Sequence, residues 1–290
     1  MSVFSVIGAV FQIAVALTVI GYGLSAKRSD IWHVFRRPRL LIVSVLAMFV
    51  VMPVVALALE LYLDFDHATR VAVVVLALTP IPALLPRTEI ATGGRPSYAI
   101  GLAFAVAALS VVLVPFFVSF LGRVMSRPFG VSPSTIFSTV LVQILAPLAM
   151  GLLVQRLAPR IADRIGPLAV TVANVLMGIA ILVLLVLVAP ALLEVATLAT
   201  LLGITLFVAA GLAVGHVMGG PDPDHAVVLA LACANRNPGL AIGIAAANFP
   251  NESFAAVMIL YAVLVGVVTK PYIRWQTRRL VLQPVATGTT

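Results

Sequence analysis

The chain has 290 residues, 62% of them hydrophobic and only 10% charged, with a mean hydropathy of +1.18. A soluble domain is about 45–50% apolar and about 25% charged, so this composition excludes an ordinary soluble protein and points to an integral membrane protein. The net charge of +8 would suggest nucleic acid in a soluble chain; here it is expected to reflect basic cytoplasmic segments, and nucleic acid is not an expected partner.

In chain order the apolar runs predict nine crossings, near 3–24, 40–59, 71–92, 97–121, 134–155, 167–190, 195–218, 226–249 and 254–272. Each has about the 17–25 residues that a ~30 Å hydrocarbon layer requires. The first run, Val3 to Leu24, has no basic residue before it and is long for a signal-peptide core, so it is read as a true span. The connectors are short. Residues 276–290 are expected to form a cytoplasmic tail without fixed structure. One cysteine, Cys233, excludes an internal disulfide and is read as a small packed residue.

Two crossings are interrupted. The third reads LTPIPALLPRTEIATGG, Leu78 to Gly94, and Pro80, Pro82 and Pro86 cannot continue a helix. The eighth, Ala226 to Phe249, is broken by ANRNPGL, Ala234 to Leu240. An arginine at the centre of a membrane helix costs roughly 2.5–3.5 kcal/mol on insertion scales, so Arg236 is read as functional. Pro238 lacks an amide hydrogen and fits the first position of a new helix with Asn237 as its cap. Such a helix start carries free amide hydrogens and about half a positive charge, to which Arg236 adds a full one. That describes an anion site.

Placing the N-terminus outside puts thirteen Lys and Arg on the cytoplasmic side against three outside, Arg70, Arg123 and Arg127, with Arg87 and Arg236 inside the membrane. This is a positive-inside distribution with a cytoplasmic C-terminus, as for a multi-pass protein of the cell inner membrane. Only the acidic PDPDH loop, Pro221 to His225, fits it poorly. The two broken spans then run in opposite directions, each followed by one intact helix, which is the pattern of an inverted repeat with its site where the breaks cross near the midplane. Small residues after the second break (Gly239, Ala241, Gly243, Ala245, Ala246, Ala247) are expected to allow close backbone approach.

The run CANRNPGLAIGIAAANF resembles the second broken helix of the bile acid:sodium symporter family, whose usual form is E-x-G-x-Q-N-S-G-L-A. The entry RRPRLLIVSVLAMFVVMPVVALAL, Arg36 to Leu59, is similar to that family's early helix, and the first break is a weaker match to P-G-G-T-x-S-N. The resemblance covers nearly the whole chain in order and span count. It implies an all-α fold of nine transmembrane helices in a single transporter domain, residues 1–290. A core would comprise the spans near 40–121 and 195–272, and a panel those near 3–24 and 134–190, with alternating access between them. It also implies two sodium sites at the crossing.

The departures decide the functional reading. Ala232 stands where the family pattern has its sodium-binding glutamate, and Arg236 where it has glutamine. Asn237 and Gly239 match as they stand, Pro238 takes the serine position, and the Ser-Asn pair of the first break falls on Arg87 and Thr88. A carboxylate has gone and two fixed cations have appeared. A sodium ion ~4 Å from an arginine is repelled by about 4 kcal/mol even at an effective ε of ~20. The expectation is therefore a sodium-independent carrier of a small organic anion, with no cofactor. Arg236, Arg87, Asn235, Asn237 and Thr88 would bind the anion, while Glu89, Pro86, Pro238 and Gly239 shape or couple the crossing. Glu89 is read either as a salt-bridge partner for an arginine or as a proton carrier. Asn235 and Asn237 serve equally well to satisfy backbone groups freed at the break. A conventional sodium symporter is the alternative, and a membrane receptor or passive anion channel the alternative of another class. No HExxH, phosphate loop or Ser/His pair suggests an enzyme. Membrane lipid is the other expected partner, and the pattern does not set an oligomeric state.

Overall fold

A hydrocarbon layer leaves no water to satisfy backbone groups, and every regular element among the described residues is a helix. The computed structural model describes residues 3–25, 33–82, 84–124, 134, 138, 141–249 and 254–282. The elements are α1 (Val3–Ser25), α2 (Pro38–Tyr62, with a π-turn at Ala47–Val51), α3 (His67–Leu78), α4 (Leu85–Ala91) and α5 (Pro96–Val124). They continue with α6 (Ala146–Leu157), α7 (Pro159–Val195), α8 (Leu198–Met218), α9 (Pro223–Ala234), α10 (Pro238–Asn248) and α11 (Ala255–Leu282). Six helical stretches among the described residues are long and apolar enough to cross a membrane, including α9 and α10 taken together. Three shorter apolar helices, Ala9–Leu24, His67–Leu78 and Ala146–Leu157, fall at the first, third and fifth expected crossings.

Two boundaries differ from the sequence reading. The sixth crossing is one helix of 37 residues whose start at Pro159 puts Arg160 and Arg164 on its first turns rather than in a loop; proline suits that first position. Residues 276–282, expected as part of an unstructured tail, continue α11 instead. There Gln276 Nε2 donates to the Tyr272 hydroxyl at 3.2 Å, and the Arg279 guanidinium lies 3.9 Å above the Trp275 ring. Contacts four residues apart stabilise a helix past the end of its apolar stretch. Residues 283–290 lie outside the described residues.

Burial sorts the helices. The α9–α10 pair is the most enclosed span, 67% buried over its apolar window, whereas α7 is 17% buried and turns Ile165, Leu168, Val172, Val175 and Ile179 outward, as toward lipid acyl chains. Helix α1 packs on α6 and α7, and α8 lies along α9. The close approach expected of Gly239 and Gly243 falls on α8 instead. Gly211, Gly215 and Gly219 repeat every fourth residue along α9, and a Cβ on Gly215 would stand 2.3 Å from the Leu229 carbonyl oxygen. Gly243 meets nothing within 4 Å, and the side chains of Ala246 and Ala247 lie outside the described residues. A glycine stripe lets two membrane helices touch backbone to backbone, which their apolar side chains alone would not drive.

The PDPDH loop is explained by pairing. Arg95 Nε donates to Asp224 Oδ2 at 2.7 Å and its backbone amide to the Asp224 carbonyl at 3.2 Å, while Asp222 Oδ2 lies 3.4 Å from His225 Nδ1. The turn leading from α4 into α5 is thereby tied to the start of α9. Gly93, at φ +99°, supplies the left-handed residue that this turn needs.

Candidate functional site

Helices α3 and α9 each run for 12 residues, begin behind an aspartate, and stop at a break. Proline ends the first: Pro80 and Pro82 follow Thr79, and Pro86 then sits in the opening turn of α4. The second break is Asn235, Arg236 and Asn237, after which Pro238 opens α10. Asn237 is its cap as expected, with Oδ1 accepting from the Leu240 amide at 3.1 Å. The two breaks touch. The Asn237 amide donates to the Pro80 carbonyl at 3.0 Å and to Thr79 Oγ1 at 3.1 Å.

Arg236 is the largest fully enclosed side chain at the crossing, 1% exposed. Its Nη1 donates to the Thr79 carbonyl at 3.2 Å and its Nη2 to the Met48 carbonyl at 2.9 Å. Both acceptors are orphans of broken helices. Thr79 ends α3, so its carbonyl has no helical partner. Met48 lies in the π-turn of α2, where Met52 N returns to Ala47 O. Pro53, next in that register, has no amide hydrogen to give Met48. The guanidinium thus joins α2, α3 and α9 by filling the coordination of two bare carbonyls. Behind it, Tyr261 of α11 accepts the Arg236 backbone amide at 2.6 Å and donates to the Ala234 carbonyl at 2.9 Å.

The remaining candidates divide by exposure. The Asn235 side chain donates to the Leu231 carbonyl at 2.8 Å, which also accepts the Asn235 backbone amide at 2.9 Å, so it caps the end of α9 without filling an orphaned group. Arg87 and Thr88 project exposed side chains from α4, and the Arg87 amide donates to the Tyr22 hydroxyl at 3.2 Å. That hydroxyl donates in turn to the Leu84 carbonyl at 3.1 Å, so one tyrosine of α1 clasps the first break. Beside it is a cleft of about 30 Å³ between α1, α6 and α5, walled by Val19, Tyr22, Pro82, Pro86, Phe104 and Leu148 among others. Glu89 is 0% exposed, and among the described residues it forms no salt bridge with an arginine and neither of its carboxylate oxygens has a hydrogen-bond partner. Gly239 is exposed at the start of α10. Among the described residues no three His, Cys, Asp or Glu gather as for a metal ion.

Met48, Pro53, Thr79, Tyr22 and Tyr261 are the contributors that sequence reasoning missed. A proline such as Pro53 inside an apolar run announces no more than a kink, and a tyrosine within an apolar helix carries no local signal. Tyr261→Phe is expected to destabilise the protein by about 1–3 kcal/mol, because it leaves the Arg236 amide and the Ala234 carbonyl buried and unpaired. Thermal unfolding of the purified variant in detergent measures it, and an unchanged melting temperature would show that the hydroxyl does not secure the break.

Residues 12–199 match the model of the Sodium Bile acid symporter family. The chain belongs to that family. A stretch of 156 residues, 53% of this chain and 47% of the relative, is 28% identical to the "Uncharacterized sodium-dependent transporter YocS" of Bacillus subtilis (strain 168), so the match spans about half that relative's length. Family membership and the apolar helices together mark the chain as a multi-pass membrane protein.

Proposed function

We propose that this family member is a nine-span secondary carrier of a small organic anion, of carboxylate type, that works by alternating access and without sodium. The observation that carries the reading is the Arg236 guanidinium on the Met48 and Thr79 carbonyls. In carriers built from opposed broken helices, unwound backbone carbonyls are the ligands that hold a coupling sodium ion. Here a permanently charged side chain fills that coordination, and a second cation a few ångströms away would be repelled.

Arg236 then acts on the anion through its charge rather than by contact, since it is sealed from solvent. Arg87 and Thr88, exposed beside the cleft, meet the carboxylate, and Asn235 and Asn237 orient it from the crossing. The apolar walls receive the rest of the molecule. A cleft of about 30 Å³ has room for roughly two waters. Entry of an anion therefore requires the Tyr22 clasp to open and a panel of α1, α6 and α7 to move from a core of α2–α5 and α8–α11. The inverted repeat, an outer N-terminus, a cytoplasmic C-terminus and an inner-membrane location belong to the same reading.

A second reading, the conventional sodium symporter, is favoured by the sodium dependence in the relative's name. A thermal-shift screen of purified protein with small carboxylates and bile-acid-like anions, in sodium and in potassium buffer, separates the two. A ligand at 100 times its dissociation constant stabilises by about 2.7 kcal/mol. Equal shifts in both cations are expected; a shift seen only in sodium would favour the symporter.

A further inference from the structure

A fixed arginine can replace the charge of a coupling ion but cannot replace its work. The guanidinium stays with the protein through the whole cycle, so no gradient drives it, and concentrative uptake needs an ion that comes and goes. Among the described residues, the buried side chains of formal or titratable charge are Glu89, His225 and Arg236, with the weaker acids Tyr98, Cys233 and Tyr261. Arg236 is committed to two carbonyls, and His225 lies against Asp222 and the face of Tyr98. Tyr98 shares a hydrogen bond of 2.9 Å with Ser44, and Tyr261 is held between Arg236 and Ala234. Glu89 is left.

We propose that Glu89 is the proton-binding coupling site of this carrier, so that the anion moves with a proton instead of with sodium. The inference rests on the sodium-independent reading above and names its coupling ion. An ionised carboxylate with neither donor nor cation in a low-dielectric interior costs far more than a paired one, and such a group takes up a proton instead. The groups facing Glu89 offer no alternative. Tyr22 of α1, Tyr98 of α5 and Cys233 of α9 feel its charge, and none of these three is a cation. On its own helix the Arg87 side chain is exposed, and Arg95 at the start of α5 is engaged by Asp224.

The position also couples the proton to the anion. Glu89 is two residues from Arg87, whose amide the Tyr22 clasp holds, and Tyr22 also feels the Glu89 charge, so a movement of α1 at the break changes the surroundings of both. With Glu89 ionised, its charge repels a carboxylate arriving at Arg87. Once the carboxylate has taken a proton from one side, that repulsion is gone and the anion binds. After reorientation the proton leaves to the other side as the acid ionises, and the anion is expelled with it. One proton moves per anion, and no other reactant is consumed.

The test uses the full-length protein in proteoliposomes, sodium-free, with the membrane potential clamped by potassium and an ionophore. The probes are radiolabelled cholate and radiolabelled pyruvate. A gradient of one pH unit, acid outside, should raise steady-state accumulation by up to about tenfold for one proton per anion. Glu89→Gln should lose that response, and Glu89→Asp should keep part of it. Infrared difference spectra of the same protein in lipid, without ligand, should show a protonated-carboxyl carbonyl band in the wild type that is missing from a Glu89→Gln variant of normal elution volume. A wild type without that band, or one that keeps it in Glu89→Gln, would overturn the proposal, as would accumulation indifferent to both proton and sodium gradients. Accumulation driven by sodium would overturn the sodium-independent reading together with it. Should Glu89→Gln not fold, the wild-type gradient response and the Glu89→Asp spectrum still decide.

Discussion

Arg236→Ala is expected to abolish uptake of every anionic substrate while lowering stability only moderately. Two effects oppose each other in the stability. Removing the guanidinium leaves the Met48 and Thr79 carbonyls bare, at about 1–3 kcal/mol each. It also relieves the desolvation of a charge that is 1% exposed, a penalty of several kcal/mol per ion. The net change is therefore small beside the loss of transport, because among the described residues no other buried side chain at the crossing carries a fixed positive charge. Arg236→Lys separates charge from geometry. An ammonium keeps the charge but lacks the planar fork that reaches two carbonyls at once, so partial uptake is expected. Uptake by folded Arg236→Ala at wild-type rates would remove Arg236 from the mechanism.

The second large effect is a gain. Ala232→Glu combined with Arg236→Gln restores the glutamate and glutamine of the family pattern, the first in the last turn of α9 and the second in the break just beyond it. The double variant is expected to acquire sodium-dependent stabilisation that the wild type lacks. Withdrawing the guanidinium frees the Met48 and Thr79 carbonyls for a cation, and the new carboxylate supplies its counter-charge. Ala232 is fully buried, so the glutamate alone would overpack α9. Melting temperatures in sodium against potassium measure the effect. A double variant that folds but is blind to sodium would mean that Arg236 does not stand in a cation's place.

What was legible in the sequence was local. Pro80, Pro82 and Pro86 announced the first break, and Asn237 before Pro238 announced a capped restart, because proline chemistry and side-chain capping act within a few residues. The family resemblance was legible in the same stretch. What Arg236 touches was not. Its nearest charged candidate in the pattern was Glu89, yet its partners are backbone carbonyls of Thr79 and of Met48, the latter 188 residues away. A carbonyl is invisible in a sequence unless something shows that its helical partner is missing. Pro53 carried that sign, but only the π-turn makes Met48 the carbonyl it orphans. The helix-start anion site was likewise overdrawn, since the Leu240 and Ala241 amides are taken by Asn237 itself. Glycines that matter for packing lie on α8, where a smooth apolar run gave no hint of which face meets α9, and on α1 and α6, where Gly23 and Gly151 face each other.

The most direct measurement is equilibrium binding of radioactive sodium to the purified wild-type protein, with and without a carboxylate that shifts its melting temperature. No saturable sodium binding is expected in either case, because the Arg236 guanidinium already holds the carbonyls that a sodium ion would use. Saturable binding near one or two ions per chain, strengthened by the anion, would contradict the account and make this protein a sodium symporter with unfamiliar ligands.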